Sequence, residues 1–325
     1  MNTPLSTYIR KNRTTTPDWN LTGFGDWAGK YKVPEEEYDS VFLPLLHDHV
    51  FKYKQATSLL EKHLAQSPIL IDLDFRYKAG GPLHRRFTTA QLREFVAAYA
   101  DAFARFFEPP PEPLQFFVQL KPAPEADPAH DAHKDGVHIV VPNVTTLPEI
   151  QYAIRGYILQ NGIIDRIFGP TGMTNEPTDC FDISVIHRNN WFLYGACKPN
   201  KAWYKVEYIW SSPPTIHDAE DKRVPVTADR LIDDSLTTWK PLDLVKLLSI
   251  RVGHESSTPL SMQTDEGQDA EWALLLSRWG KGNNWAKAKS PGLFGASGAK
   301  EIKPFTLDGG SSGPSGSSGP SGSSG

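Results

Sequence analysis

Two aspartates, Asp72 and Asp74, interrupt the apolar run Ile69-Leu70-Ile71-Asp72-Leu73-Asp74-Phe75-Arg76-Tyr77. The run reads as a strand buried on both faces. Side chains alternate along a strand, so Asp72 and Asp74 share one face and Leu73 takes the other. Neighbouring carboxylates repel, and each is costly to desolvate unless a cation lies between them. Hard divalent ions such as Mg2+ and Mn2+ select oxygen ligands of this kind. The pair therefore reads as a metal platform, whose usual use is phosphate chemistry. Two further groups qualify as partners. His138 is embedded in Lys134-Asp135-Gly136-Val137-His138-Ile139-Val140-Val141-Pro142, and Asp182 lies in Phe181-Asp182-Ile183-Ser184-Val185-Ile186. An imidazole N–H beside a lysine suits phosphate oxygens, although a lone strand histidine is more often structural.

These residues need strands held by helices, and the hydrophobic pattern supplies both. A helical pattern runs from Glu35 to about Gln66, with Val41, Phe42, Leu45, Leu46, His49 and Val50 on one broad face and Leu59, Leu60 and Leu64 after a break. His47 and His49 diverge around that helix and read as ordinary partly exposed residues. Phe87 to Phe107 is an amphipathic helix capped by Thr88 or Thr89. Leu114 to Leu120 is a strand. Gly136 marks a turn leading into a short strand that carries His138. Leu147 to Phe168 is a second helix, and 181–186 alternates as a strand with Phe181, Ile183 and Val185 opposite Asp182 and Ser184. Trp191 to Gly195 is a last apolar run, Tyr204 to Trp210 a further strand, and Leu242 to Ser249 a short helix. Residues 1–20 read as a mobile, solvated arm and 21–252 as the folded domain. Residues 253–310 read as mostly irregular linker with a helical segment at Glu271 to Trp279. The Gly/Ser/Pro tail, 311–325, is a flexible extension outside the fold.

Composition bounds the function classes. A chain of 325 residues with 39% hydrophobic and 22% charged residues is an ordinary globular protein. No apolar run approaches the roughly 20 residues of a membrane span, and Met1-Asn2-Thr3-Pro4 lacks a signal-peptide layout. A soluble intracellular protein is expected. The net charge of −4 means that any nucleic-acid surface must be a local patch. Cys180 and Cys197 are too few for a disulfide framework or a four-cysteine zinc site and read as small buried hydrophobes.

Taken together, Ile71-Asp72-Leu73-Asp74-Phe75-Arg76-Tyr77, Lys134-Asp135-Gly136-Val137-His138-Ile139 and Phe181-Asp182, followed by Asn189-Asn190-Trp191-Phe192-Leu193-Tyr194-Gly195-Ala196-Cys197-Lys198-Pro199, resemble motifs I, II and III of the archaeo-eukaryotic primase (AEP) superfamily. The branch they resemble most is the N-terminal primase domain of the primase–helicases of nucleocytoplasmic large DNA viruses. Gly29-Lys30-Tyr31-Lys32-Val33-Pro34 and Leu247-Leu248-Ser249-Ile250-Arg251 fit that branch too, so the resemblance spans roughly 20–252. It implies an α+β fold, with an RRM-like catalytic sheet flanked by helices beside a smaller α/β unit. It also implies template-directed nucleotidyl transfer making short primers on single-stranded DNA. Asp72, Asp74 and Asp182 would hold two divalent ions, Mg2+ or Mn2+, and His138 would bind phosphates of the incoming NTP or dNTP. By proximity to these motifs, Lys134 and Lys198 are candidate phosphate-side cations, with solvated lysines the alternative. Arg76 is expected to contact nucleotide or template, or to pair with an aspartate. No GxxxxGK[ST] loop occurs, so the helicase partner of those proteins is expected outside this chain. No zinc is expected, although many of the superfamily's members carry a zinc element.

Two other classes compete. DxD motifs also hold Mn2+ in sugar-nucleotide glycosyltransferases, which leaves His138 and Asp182 without roles. An RRM-like sheet can also serve as a non-catalytic single-strand binder; three clustered carboxylates near phosphates argue against that.

Overall fold

The structure is a computed structural model that describes residues 3–80, 82–108, 110, 112–215, 217–220, 222–253, 260 and 266–280. The chain divides into two compact units, Met1–Lys287 and Ala288–Gly325, and the second contains no described residue. The expected tail at 311–325 therefore lies outside the described residues, as does most of 253–310.

The acidic run forms β4 of the first unit, and its surroundings explain its placement. The chain opens with helix α1 (Pro4–Lys11), strands β1 (Leu21–Gly23) and β2 (Gly29–Tyr31), and a helical stretch over residues 35–52. That stretch alternates α-turns (α2, Glu35–Glu37; α3, Leu43–His47) with π-turns at Tyr38–Phe42 and Asp48–Lys52. Next come β3 (Leu59–Glu61), β4 (Ser67–Lys78), α4 (Thr89–Phe106), β5 (Gln115–Leu120), β6 (Glu125–Asp127) and β7 (Ala132–Thr146). The chain continues through α5 (Pro148–Gln160), α6 (Ile163–Phe168), α7 (Pro177–Cys180), β8 (Trp191–Phe192), β9 (Lys205–Ser211), β10 (Ile232–Asp233), α8 (Pro241–Leu247) and α9 (Glu266–Trp279).

Two antiparallel sheets result, as an α+β fold requires. The larger has the order β10-β9-β5-β7-β4 with β6 on β7, and the smaller β2-β1-β3-β8. One face of the larger sheet, carrying Leu73, Phe75 and Tyr77, packs on helices α4 and α6. There Phe75 meets Phe168, and Phe95 of α4 meets both Phe168 and Phe181. Thr88 caps α4 in a reciprocal box with Gln91, and Leu92, Phe95, Val96, Tyr99, Phe103 and Phe106 form its buried stripe. The opposite face is divided along the strands. Leu70, Val140, Phe117 and Ile209 stand side by side on β4, β7, β5 and β9 and join the core of the smaller sheet. One step further along, the row Asp72, His138, Gln119 and Val206 lies at the edge of that cover. The smaller sheet thus covers one part of the face, and the part that carries Asp72 and His138 opens on a cavity.

Several local expectations change. Residues 3–20 are not a mobile arm: α1 has a Thr3/Ser6 capping box, and Leu5 and Ile9 are buried in the shared core. Its apolar residues fall four apart, enough to seat one short helix face. The helical pattern of 35–66 stops at Lys52, and Leu59-Leu60 form β3 instead, because two leucines on a three-residue strand pair between β1 and β8. Gly136 is no turn; it sits inside the continuous strand β7. The second helix breaks at Asn161-Gly162, where Gly162 takes φ +62° and restarts the chain as α6. Residues 181–186 do not form a strand. Only Phe181 bridges, to Leu73, and the chain then turns. Finally, α9 packs on the domain: Trp272 meets Phe106 at a tilt and Phe107 edge-on, and Arg105 donates to Glu271.

Candidate active site

The β4/β7 register decides which chemistry meets. Asp72 lies opposite His138, Asp74 opposite Gly136 and Arg76 opposite Lys134. All stand on the face turned away from α4, as the i, i+2 spacing requires. Lys134 Nζ reaches Asp74 Oδ2 at 2.9 Å. His138 Nε2 stands 3.7 Å from Asp72 Oδ1, too far for a hydrogen bond.

Asp182 arrives from outside the sheet. β4 is an edge strand, and residues 173–182 line its free edge. Met173 bridges Tyr77, Asn175 donates to Asp74 O and accepts from Arg76 N, and Phe181 bridges Leu73. The backbone N–H of Asp182 then donates to Asp72 O at 2.9 Å. Its carboxylate accepts from Ser184 N and Ser184 Oγ, closing a tight turn. The fully buried Arg155 of α5 holds this segment, donating to Phe181 O and Thr178 O, each at 2.8 Å. Burial pulls its pKa down to about 10.

Asp72, Asp74, Asp182, His138, Lys134 and Lys198 all line one cavity of about 820 Å³. Burial, followed by the charges of Asp74 and Asp182, pushes the Asp72 carboxyl well up from its ordinary range, against the pull of Lys134 and Lys198. Asp72 Oδ1 is buried and accepts no hydrogen bond. A desolvated carboxylate oxygen without a donor costs free energy that a bound cation would recover. Carboxylate oxygens are the ligand type that hard divalent ions select, and Asp72 Oδ1 has no hydrogen-bond partner among the described residues. Among the described residues no three or more His, Cys, Asp or Glu side chains are already gathered as a metal-holding group. Lys134 pairs with Asp74, and Ser184 with Asp182.

The His138 ring stacks flat on Tyr204, centroids 3.7 Å apart, with Trp191 at 4.7 Å. Burial and the charges of Lys121, Lys198 and Lys134 lower its pKa to about 3, so it is neutral and keeps one ring N–H to donate. Gly136 makes room for this arrangement. A Cβ there would sit 2.5 Å from the Tyr204 hydroxyl oxygen and 3.4 Å from Asp74 Oδ1. Arg76 is the one expected site residue that takes a different partner. Its Nε lies 3.7 Å from Asp127, so it pairs with none of the three aspartates. The sequence reading did not single out Tyr204, Gln119, Lys121 or Arg155. The strand period places Gln119 of β5, and Lys121 just past its end, on one side of the strand, but no local signal aims that side at β4. Both Cys180 and Cys197 are buried, as expected of small hydrophobes. No described helix is long and apolar enough to cross a membrane.

An antiparallel sheet bearing Asp-x-Asp on its edge strand, a histidine on the next strand and a third aspartate at the strand edge agrees with the α+β AEP-type domain that the motif resemblance implies. The sequence agrees: residues 22–210 match the family described as C962R protein N-terminal AEP domain, and this chain belongs to that family. Membership places it among primase-type domains. It is also similar to a helicase-named protein of Acanthamoeba polyphaga mimivirus, 29% identical over 189 residues. That match covers 57% of this chain and 19% of the mimivirus protein, so the chain corresponds to about a fifth of its relative's length.

Proposed function

We propose that this domain is a nucleotidyltransferase that builds short primers on single-stranded DNA, as the primase part of a viral-type replication protein. The observation that carries the reading is one cavity lined by Asp72, Asp74, Asp182 and His138, with the buried Asp72 Oδ1 lacking a donor. Two divalent ions held by the three aspartates, Mg2+ or Mn2+, would supply an activated 3′-hydroxyl and charge neutralisation at the triphosphate. The chain's own groups do the rest. Lys134 and Lys198 offer point charges to phosphate oxygens, and Lys134 is free to do so once Asp74 has another cation. The neutral His138 donates its N–H to a phosphate oxygen, and the flat stack on Tyr204 fixes the direction of that donor. A helicase partner, in the same protein or separate, would supply the unwound template; the helicase name of the mimivirus relative supports that pairing.

The test is metal-dependent incorporation of labelled nucleotide opposite an unprimed single-stranded template. Asp72→Asn with Asp74→Asn should abolish it while leaving the fold intact. Undiminished incorporation by that variant would overturn the assignment. His138→Ala should raise the nucleotide KM more than it lowers thermal stability. The glycosyltransferase reading leaves His138 and Asp182 without roles, and a binding module would gain nothing from three carboxylates near phosphates.

A further inference from the structure

The smaller sheet has a face that the chemistry above does not use. Lys30, Thr22, Leu60 and Phe192 stand side by side across β2, β1, β3 and β8. By strand alternation they share one face, opposite the buried Leu21, Leu59 and Trp191. Trp19 extends the row at one side. Lys62 Nζ lies 4.5 Å and Lys30 Nζ 5.2 Å from its ring centroid, so two cations flank the ring. At the other side Phe24 is 49% exposed, with its ring 6.3 Å from that of Phe192. Asn190 donates to Thr22 Oγ1 in the middle of the face, satisfying a hydroxyl that would otherwise compete for ligand. Trp19, Thr22, Phe24, Leu60 and Phe192 line the same cavity as the aspartates, so this face and the carboxylate site are two ends of one trough.

We propose that this face is a stacking platform for single-stranded DNA, with Trp19, Phe24 and Phe192 taking unpaired bases and Lys30 and Lys62 taking the backbone. The occupant follows from chemistry. Three aromatic rings lining one cavity, Phe192 on β8 with Trp19 and Phe24 just before and just after β1, offer sequence-tolerant stacking, and flanking lysines neutralise phosphates. A protein ligand would find a row broken by two ammonium groups, and a duplex would have no exposed base faces to stack. Asp18 is the carboxylate near Lys62; it accepts from Thr16, and Lys62 also donates to Pro17 O. The identity of the strand as template rests on the proposed function, whereas its binding does not.

The experiment is fluorescence anisotropy with a labelled oligothymidylate 20-mer and the whole chain, at several salt concentrations. Trp19→Ala with Phe24→Ala should weaken binding at least tenfold without moving the melting temperature by more than a few degrees. Trp19→Phe should restore most of it. Lys30→Gln with Lys62→Gln should make the salt dependence shallower, since fewer counterions are released. A duplex of equal length should show no dependence on Trp19. Wild-type affinity in the Trp19/Phe24 variant, or no binding of the 20-mer by the wild type, would overturn the platform. Both results are independent of the Asp72/Asp74 incorporation assay, so failure of one proposal is distinguishable from failure of the other.

Discussion

Substituting Gly136 by alanine tests the arrangement of the site most directly. The added Cβ would meet the Tyr204 hydroxyl oxygen at 2.5 Å, and an ordinary contact begins near 3.4 Å, so the hydroxyl must retreat by about 0.9 Å. Asp74 Oδ1 and Leu73 O already lie at that 3.4 Å limit, which leaves the tyrosine as the group that moves. Its ring is stacked on His138 at 3.7 Å, so the retreat tilts or slides the stack. Overpacking of this kind costs about 1–3 kcal/mol, and an aromatic stack is worth about 0.5–1.5 kcal/mol. Because the clash falls on the end of a half-buried side chain, the lower part of that range applies, and about 1–2 kcal/mol of stability should be lost. The catalytic effect should be larger. A misplacement near 1 Å in a positioning group can cost about a hundredfold in rate, so kcat/KM for nucleotide incorporation should fall by about 10- to 100-fold. The assay is a double-mutant cycle with Tyr204→Phe, which removes the atom of closest approach, read by urea denaturation and by incorporation. The double variant should recover most of the stability lost by Gly136→Ala. Additive losses in the cycle, or a Gly136→Ala variant as stable and active as wild type, would refute the reasoning.

Three further outcomes follow from the same geometry. Arg155→Met removes two charge-assisted bonds to backbone carbonyls, each worth about 1.5–3 kcal/mol, but also removes a buried guanidinium whose pKa is depressed to about 10, a burden of roughly 3 kcal/mol. These partly offset, leaving a loss of about 0–3 kcal/mol, whereas the Asp182 amide should exchange hydrogen faster and incorporation should fall; an unchanged Asp182 exchange rate would refute the anchoring role. His63 is buried, has no carboxylate partner among the described residues and hydrogen-bonds Asn189 O, with burial, and to a lesser degree the neighbouring His187, lowering its pKa to about 4. Between pH about 6.5 and 4 the unfolded chain therefore binds a proton that the folded chain does not, and stability falls as pH falls through that window, by roughly 3 kcal/mol in all. Denaturation of wild type and His63→Gln at pH 7 and 4.5 should show the difference shifting toward the variant on acidification; a pH-independent difference would refute it. Leu5→Ala should cost about 2–5 kcal/mol, because α1 inserts Leu5 into the core; a calorimetric shift near zero would restore the solvated-arm reading.

The sequence by itself determined the parts of this protein that depend on short-range spacing. Alternation placed Asp72 and Asp74 on one face of β4 and Leu73 on the other, and the 3.6-residue stripe and Thr88 cap set α4. Motif spacing was enough to identify the superfamily. It failed where a local pattern was short or served a distant partner. Leu59-Leu60 reads equally as helix or strand, and only pairing with β1 and β8 decides it. Gly136 reads as a turn because nothing nearby in the chain announces Tyr204, which lies 68 residues further on and fills the space a Cβ would take. Asp182 alternates with its apolar neighbours as a strand residue would, yet backbone bonds to the free edge of β4 and the buried Arg155 hold it in a turn. The residue types of the site are local information. Their meeting in one cavity depends on sheet register and edge pairing, which no stretch of the chain carries alone.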